Sequence, residues 1–90
     1  MEGATHGRAD PDVTHFTVVS EVEQVEIIAR GVSVRERHGL VSQFGGAHWR
    51  KMKGVAIVRL TDGATCRAEL HWYESHGIGR RKLKIKRFLE

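Results

Sequence analysis

Val55-Ala56-Ile57-Val58-Arg59-Leu60-Thr61-Asp62-Gly63-Ala64-Thr65-Cys66-Arg67-Ala68-Glu69-Leu70-His71-Trp72-Tyr73 is the stretch whose reading decides the fold. Two runs rich in β-branched and aromatic residues flank Asp62-Gly63, a strong two-residue hairpin signal. With Asp62 and Gly63 as the turn, Thr61 faces Ala64. The register then sets Ile57 opposite Ala68, Val55 opposite Leu70, Lys53 opposite Trp72 and Arg59 opposite Cys66. Strands are expected over 51–61 and 65–74. A glycine-bearing loop follows from Ser75 to Gly79. A third strand over 81–88 opens on Arg81-Lys82-Leu83-Lys84-Ile85-Lys86, where charge and apolar side chain alternate.

Side chains of a strand point alternately to its two faces. In this register Val55, Ile57, Ala68, Leu70, Trp72, Leu83 and Ile85 turn toward a core beneath the helices. Arg67, Glu69, His71, Tyr73, Lys82, Lys84 and Lys86 share the opposite face, together with Ala56, Val58 and Leu60.

Upstream the period is less decided. Ser20 and Glu23 have capping-box spacing, and Val22, Val25, Ile28 and Ala29 recur at helical intervals. Val25, Ile27 and Ala29 also alternate, so 21–30 reads as helix or strand. Ser33 and Glu36 repeat the capping-box spacing before Val34, Leu40, Val41 and Phe44, and Gly45-Gly46 supplies a helix stop. The expected fold class is α+β: one or two short helices followed by a three-stranded antiparallel meander. It forms a single small domain over 13–90, after a flexible N-terminal tail over 1–12.

The 90 residues carry a net charge of +4 that is unevenly placed. Residues 1–30 hold six acids against two arginines, whereas 31–90 hold thirteen Lys and Arg against five acids. Such a split is the electrostatic footprint of a surface for nucleic acid or another anionic partner. No apolar run approaches the roughly 20 residues of a membrane span, and the N-terminus lacks a signal-peptide core. A cytoplasmic chain with no membrane partner is expected. Cys66 is the sole cysteine, which excludes an internal disulfide, and the six histidines lack ligand spacing. No metal and no cofactor are expected.

Three groups of residues carry candidate chemistry. Six of the eight residues from Arg80 to Arg87 are basic. Arg80, Arg81, Lys82, Lys84 and Lys86, with Arg67 and Tyr73, form a candidate nucleic-acid-binding set for RNA or a single strand, with Trp49, Trp72 and Tyr73 as stacking rings. Lysines on an edge strand also guard it against aggregation.

Glu69 and His71 lie two residues apart, about 7 Å on one strand face. A carboxylate base and an imidazole acid, with cations for the developing charge, are the parts needed to cleave RNA through its 2′-hydroxyl. The same spacing arises in an ordinary polar strand face. The loop Ser75-His76-Gly77-Ile78-Gly79-Arg80 offers glycine amides and an arginine to a phosphate, without the pattern of a nucleotide-cofactor loop. Trp49, beside Gly45-Gly46, fits a core position better than an exposed anchor.

The layout of helices followed by a short antiparallel sheet resembles small bacterial ribonuclease toxins in outline, without a matching motif. The leading expectation is a non-enzymatic nucleic-acid-binding or regulatory module. One alternative is a metal-independent ribonuclease using Glu69 and His71. Another is an oligomeric scaffold, a homo-oligomer or a binder of an acidic protein, from a mobile or accessory gene.

Overall fold

The computed structural model describes residues 15–89; the expected tail over 1–12 lies outside them. The fold is a mostly-β domain with five antiparallel strands and one α-helix. The strands are β1 (Phe16–Val18), β2 (Glu23–Arg30), β3 (Arg50–Leu60), β4 (Thr65–Ser75) and β5 (Ile78–Leu89). A 3-10 turn at Gly31–Ser33 leads to α1, Arg37–Phe44. Strands β3, β4 and β5 are consecutive neighbours, and β1 and β2 share the free side of β3. The helices-first layout and the three-stranded meander are thus both corrected, and the outline likeness to ribonuclease toxins goes with them.

Residues 21–30 hold β2 and no helix, for a local reason. Ser20 Oγ accepts the Ile57 amide at 2.8 Å in the gap between β1 and β2, so it extends the sheet instead of capping a helix. The Ser33–Glu36 signal fails likewise. Glu36 sits at the start of α1 without a side-chain cap bond, and its carboxylate accepts from Lys82 Nζ at 3.2 Å. The helix does stop where the glycines stand. Gly45 has φ +76°, and its amide donates to the Val41 carbonyl.

The β3–β4 hairpin turns on three residues, Thr61-Asp62-Gly63, and not on two. Leu60 N–H donates to the Ala64 carbonyl at 2.8 Å, Asp62 Oδ1 accepts the Ala64 amide, and Gly63 takes φ +90°. A left-handed glycine at the third position is the usual way to close such a loop. The pairing therefore slips by one residue from the expected register. Ala56 faces Ala68, Gly54 faces Leu70, Met52 faces Trp72 and Val58 faces Cys66. A one-residue slip sends every side chain of β3 to the other face. Met52, Ala56, Val58 and Leu60 join Ala68, Leu70, Trp72 and Ile85 in the main core. Val55 and Ile57, expected in that core, lie on the charged face opposite Glu69 and Arg67.

Among the described residues no helix covers this apolar face; α1 packs on the other one. Phe16 and Val18 of β1, Val22, and Leu83 and Phe88 of β5 pack onto the cluster from both edges of the curled sheet. Bulges help the curl, since each adds a residue to one strand and bends it. The β4–β5 ladder shifts register three times, and Lys82 sits at φ +56° within one of the shifts. The strict alternation expected for 81–88 is broken by these insertions.

A second cluster of Val34, Leu40 and Trp49 holds α1 against Tyr73 and Ile78. Trp49 is fully buried, and its indole N–H donates to the Gly45 carbonyl at 2.8 Å. Gly54 marks where two layers meet most closely. A Cβ there would lie 2.6 Å from Val22 Cγ1 and 3.1 Å from Trp72 Cη2.

Candidate functional site

The three-residue turn fixes which cations meet on the charged face. With Ala56 against Ala68, Lys53 falls opposite His71 and Lys51 opposite Tyr73. From the other side β5 brings Lys84 opposite His71, Arg87 opposite Glu69 and Arg81 opposite Tyr73. Glu69 and His71 are therefore ringed by basic residues from both neighbouring strands.

Glu69 and His71 are in direct contact. Their Oε2 and Nε2 atoms are 2.8 Å apart, so the expected 7 Å space for a phosphodiester between them is closed. Only the backbone positions keep strand spacing; the two side chains lean together. Arg87 Nε donates to the other Glu69 oxygen at 2.8 Å. These two bonds hold the Glu69 carboxyl below its ordinary value, the His71 bond first and Arg87 second, against a smaller contrary effect of burial.

The His71 side chain is only 11% exposed. Burial pushes its imidazole below the usual histidine value. Hydrogen bonding to Glu69 opposes that, while the charges of Lys51 and Lys86 reinforce it. At neutral pH the pair is a carboxylate and a neutral imidazole, with the ring proton on Nε2 pointing at Glu69. Nδ1 is left as a bare acceptor, buried and without a hydrogen-bond partner. The pair anchors the face and fixes its charge.

Around that anchor the cations fall into two groups. Arg87 is paired with Glu69, Lys53 with Glu26 at 3.8 Å, and Lys82 with Glu36. Arg67, Lys84 and Lys86 form no ion pair among the described residues, and Lys51 Nζ lies 5.9 Å from the centre of the Tyr73 ring. Burial, then the Glu36 charge, raises the Tyr73 phenol above its ordinary value. A cavity of about 190 Å³ opens beside the anchor, lined by Lys53, Arg67, Glu69 and Arg87.

The expected set of binding residues is thus divided. Arg67, Tyr73, Lys84 and Lys86 gather with Glu69 and His71. Lys82 is tied down by Glu36, and Arg81 lies over the Phe44 ring of α1 at 5.2 Å. Arg80 stands apart, stacked at 5.0 Å over Trp72 of the apolar core. Lys51, Lys53 and Arg87 were missed. The alternation of β3 and β4 carried the signal for the first two, but only a three-residue turn reads it correctly. Among the described residues no three His, Cys, Asp or Glu side chains gather as metal ligands, and no helix is long and apolar enough to cross a membrane.

No protein-family model, curated protein or solved structure matches the chain.

Proposed function

We propose that this protein binds single-stranded nucleic acid, RNA or DNA, through the charged face of its sheet. One observation carries the reading: Lys51, Arg67 and Lys84 converge from three adjacent strands, with Lys86 close enough to act on His71, and none of the four pairs with a carboxylate among the described residues. Lys51 and Lys86 add to the larger effect of burial in disfavouring the protonated His71 ring.

A sheet face suits a single strand better than a duplex. Cations spread over β3, β4 and β5 meet phosphates along an extended backbone, and no helix here projects into a groove. Tyr73 adds a half-buried ring beside Lys51, a stacking neighbour for a base. In this reading Glu69, His71 and Arg87 are positioning residues. They keep one carboxylate neutralised and one imidazole uncharged at the centre of the phosphate-binding surface.

The test is fluorescence anisotropy of a labelled single-stranded oligonucleotide at about 50 mM salt, where even non-specific binders are detected at micromolar protein. Binding is expected, and it should weaken in the double variant Lys84→Ala/Lys86→Ala. Absence of binding by the folded wild-type protein under these conditions overturns the proposal.

A further inference from the structure

At one end of the apolar face a second cationic group stands apart from the surface just described. Four neighbouring strands each contribute one residue in a row. Arg30 of β2 lies directly opposite Arg50 of β3, Arg50 opposite Glu74 of β4, and Arg80 of β5 stacks on Trp72 beside them. Like charges placed directly opposite on neighbouring strands repel, so this row costs stability unless something neutralises it.

Glu74 neutralises only part of it. Its Oε2 accepts from Arg50 Nη2 at 3.1 Å and its Oε1 from the Trp72 indole at 2.8 Å. Arg50 Nε is buried with no acceptor, and Arg30 and Arg80 make no ion pair among the described residues. Three guanidinium groups in this row thus stand with one carboxylate, and only Arg50 is paired with it. The excess of two positive charges matches a phosphate dianion.

There is space for one. An open depression of about 490 Å³ lies at this end, lined by Arg50, Glu74, Arg80 and the β4–β5 hairpin, and Arg30 lines a neighbouring one of about 290 Å³ that shares Arg50. The hairpin brings Gly77, at φ +78°, and Gly79 to the wall of the larger one. Arginine forks and bare amides are the groups that recognise phosphate oxygens.

We infer that the row of Arg30, Arg50 and Arg80 beside the Gly77–Gly79 hairpin is a site for a phosphate dianion. Its ligand is a free phosphate or the terminal phosphate of a nucleotide chain. It lies on the opposite face from the proposed single-strand surface and does not depend on it.

The experiment is a nitrogen–proton correlation titration of the full chain with inorganic phosphate in low-salt chloride buffer. Saturable shifts are expected at the Gly77 and Gly79 amides and the Trp72 indole N–H. Arg80→Ala and Arg30→Ala should each weaken the affinity about tenfold. Arg30 is exposed on an edge strand, so its variant stays folded even if loss of the Arg80 stack does not. Lys84→Ala/Lys86→Ala should leave the shifts in place, which separates this site from the other face. A second arm compares 5′-phosphorylated and 5′-hydroxyl oligonucleotides of one sequence. Tighter binding of the phosphorylated form assigns the site to a chain end, and equal binding alongside the phosphate shifts assigns it to free phosphate. No shift up to about 10 mM phosphate, or shifts undiminished in Arg30→Ala, overturns the inference.

Discussion

The two faces of β3, β4 and β5 come from the same stretch of chain and differ in what their side chains leave unsatisfied. On the apolar face Val58, Ala68, Leu70 and Ile85 are fully buried, and the sheet curls until its edges cover them. On the charged face His71 is buried while the lysines opposite and beside it stay exposed or half-exposed. The first face is complete in itself, because its free energy comes from burial within the chain. The second is complete only at its centre, where Glu69 has two partners; its rim carries positive charge that nothing in the described chain answers.

The largest test of that contrast is Trp72→Ala. The ring is 1% exposed and sits at the centre of the main core, so truncation should cost about 3–5 kcal/mol in chemical denaturation. A cost under about 1 kcal/mol would remove the distinction between the faces. Gly54→Ala should cost less, about 1–3 kcal/mol, because a Cβ must displace Val22 and Trp72 within the packed layer. A neutral effect in the same denaturation series would mean that the layer is looser than described.

The charged face should reveal itself through pH. The folded His71 value lies below the ordinary value of about 6.5. Below that ordinary value the unfolded chain takes up the proton first, so stability falls as pH drops from about 6.5 toward the depressed folded value. Glu69, also depressed, loses its contribution later, as pH falls from about 4 toward its folded value. Urea midpoints between pH 7 and 5.5 should therefore decline in the wild type and decline less in His71→Gln. Parallel curves would contradict the burial assigned to His71.

The smallest effect is expected at β2, where seven of eight residues are exposed and Ala29 packs against the second cluster. Ile27 is 39% exposed, and Ile27→Thr should change stability by no more than about 0.5 kcal/mol. A cost comparable to that at Gly54 would mean that the edge strand is more deeply packed than its exposure indicates.

How much of this was legible in the sequence varies along the chain. Strands near 51–61, 65–74 and 81–88 could be read because their alternation is strong over ten residues or so. The faces of β3 could not, because Asp62-Gly63 fits both a two-residue turn and the end of a three-residue one. Only the Leu60–Ala64 bond separates them. Ser20 and Ser33 signalled helix starts by spacing alone, yet the Ser20 hydroxyl met a strand amide and Glu36 met a lysine 46 residues away. Those partners are tertiary and leave no local trace. Glu69 and His71 were legible as a pair on one face. Their direct contact was not, since strand spacing fixes backbone positions and leaves side chains free to lean.

The claim that the charged face receives a single strand is tested most directly by the salt dependence of oligonucleotide affinity. If Lys51, Arg67, Lys84 and Lys86 each neutralise one phosphate, log affinity against log salt should fall with a slope of about −3. The slope should shrink to about −1.5 in Lys84→Ala/Lys86→Ala, with the variant still folded. A wild-type slope near zero, or one unchanged by removing both lysines, would contradict the account.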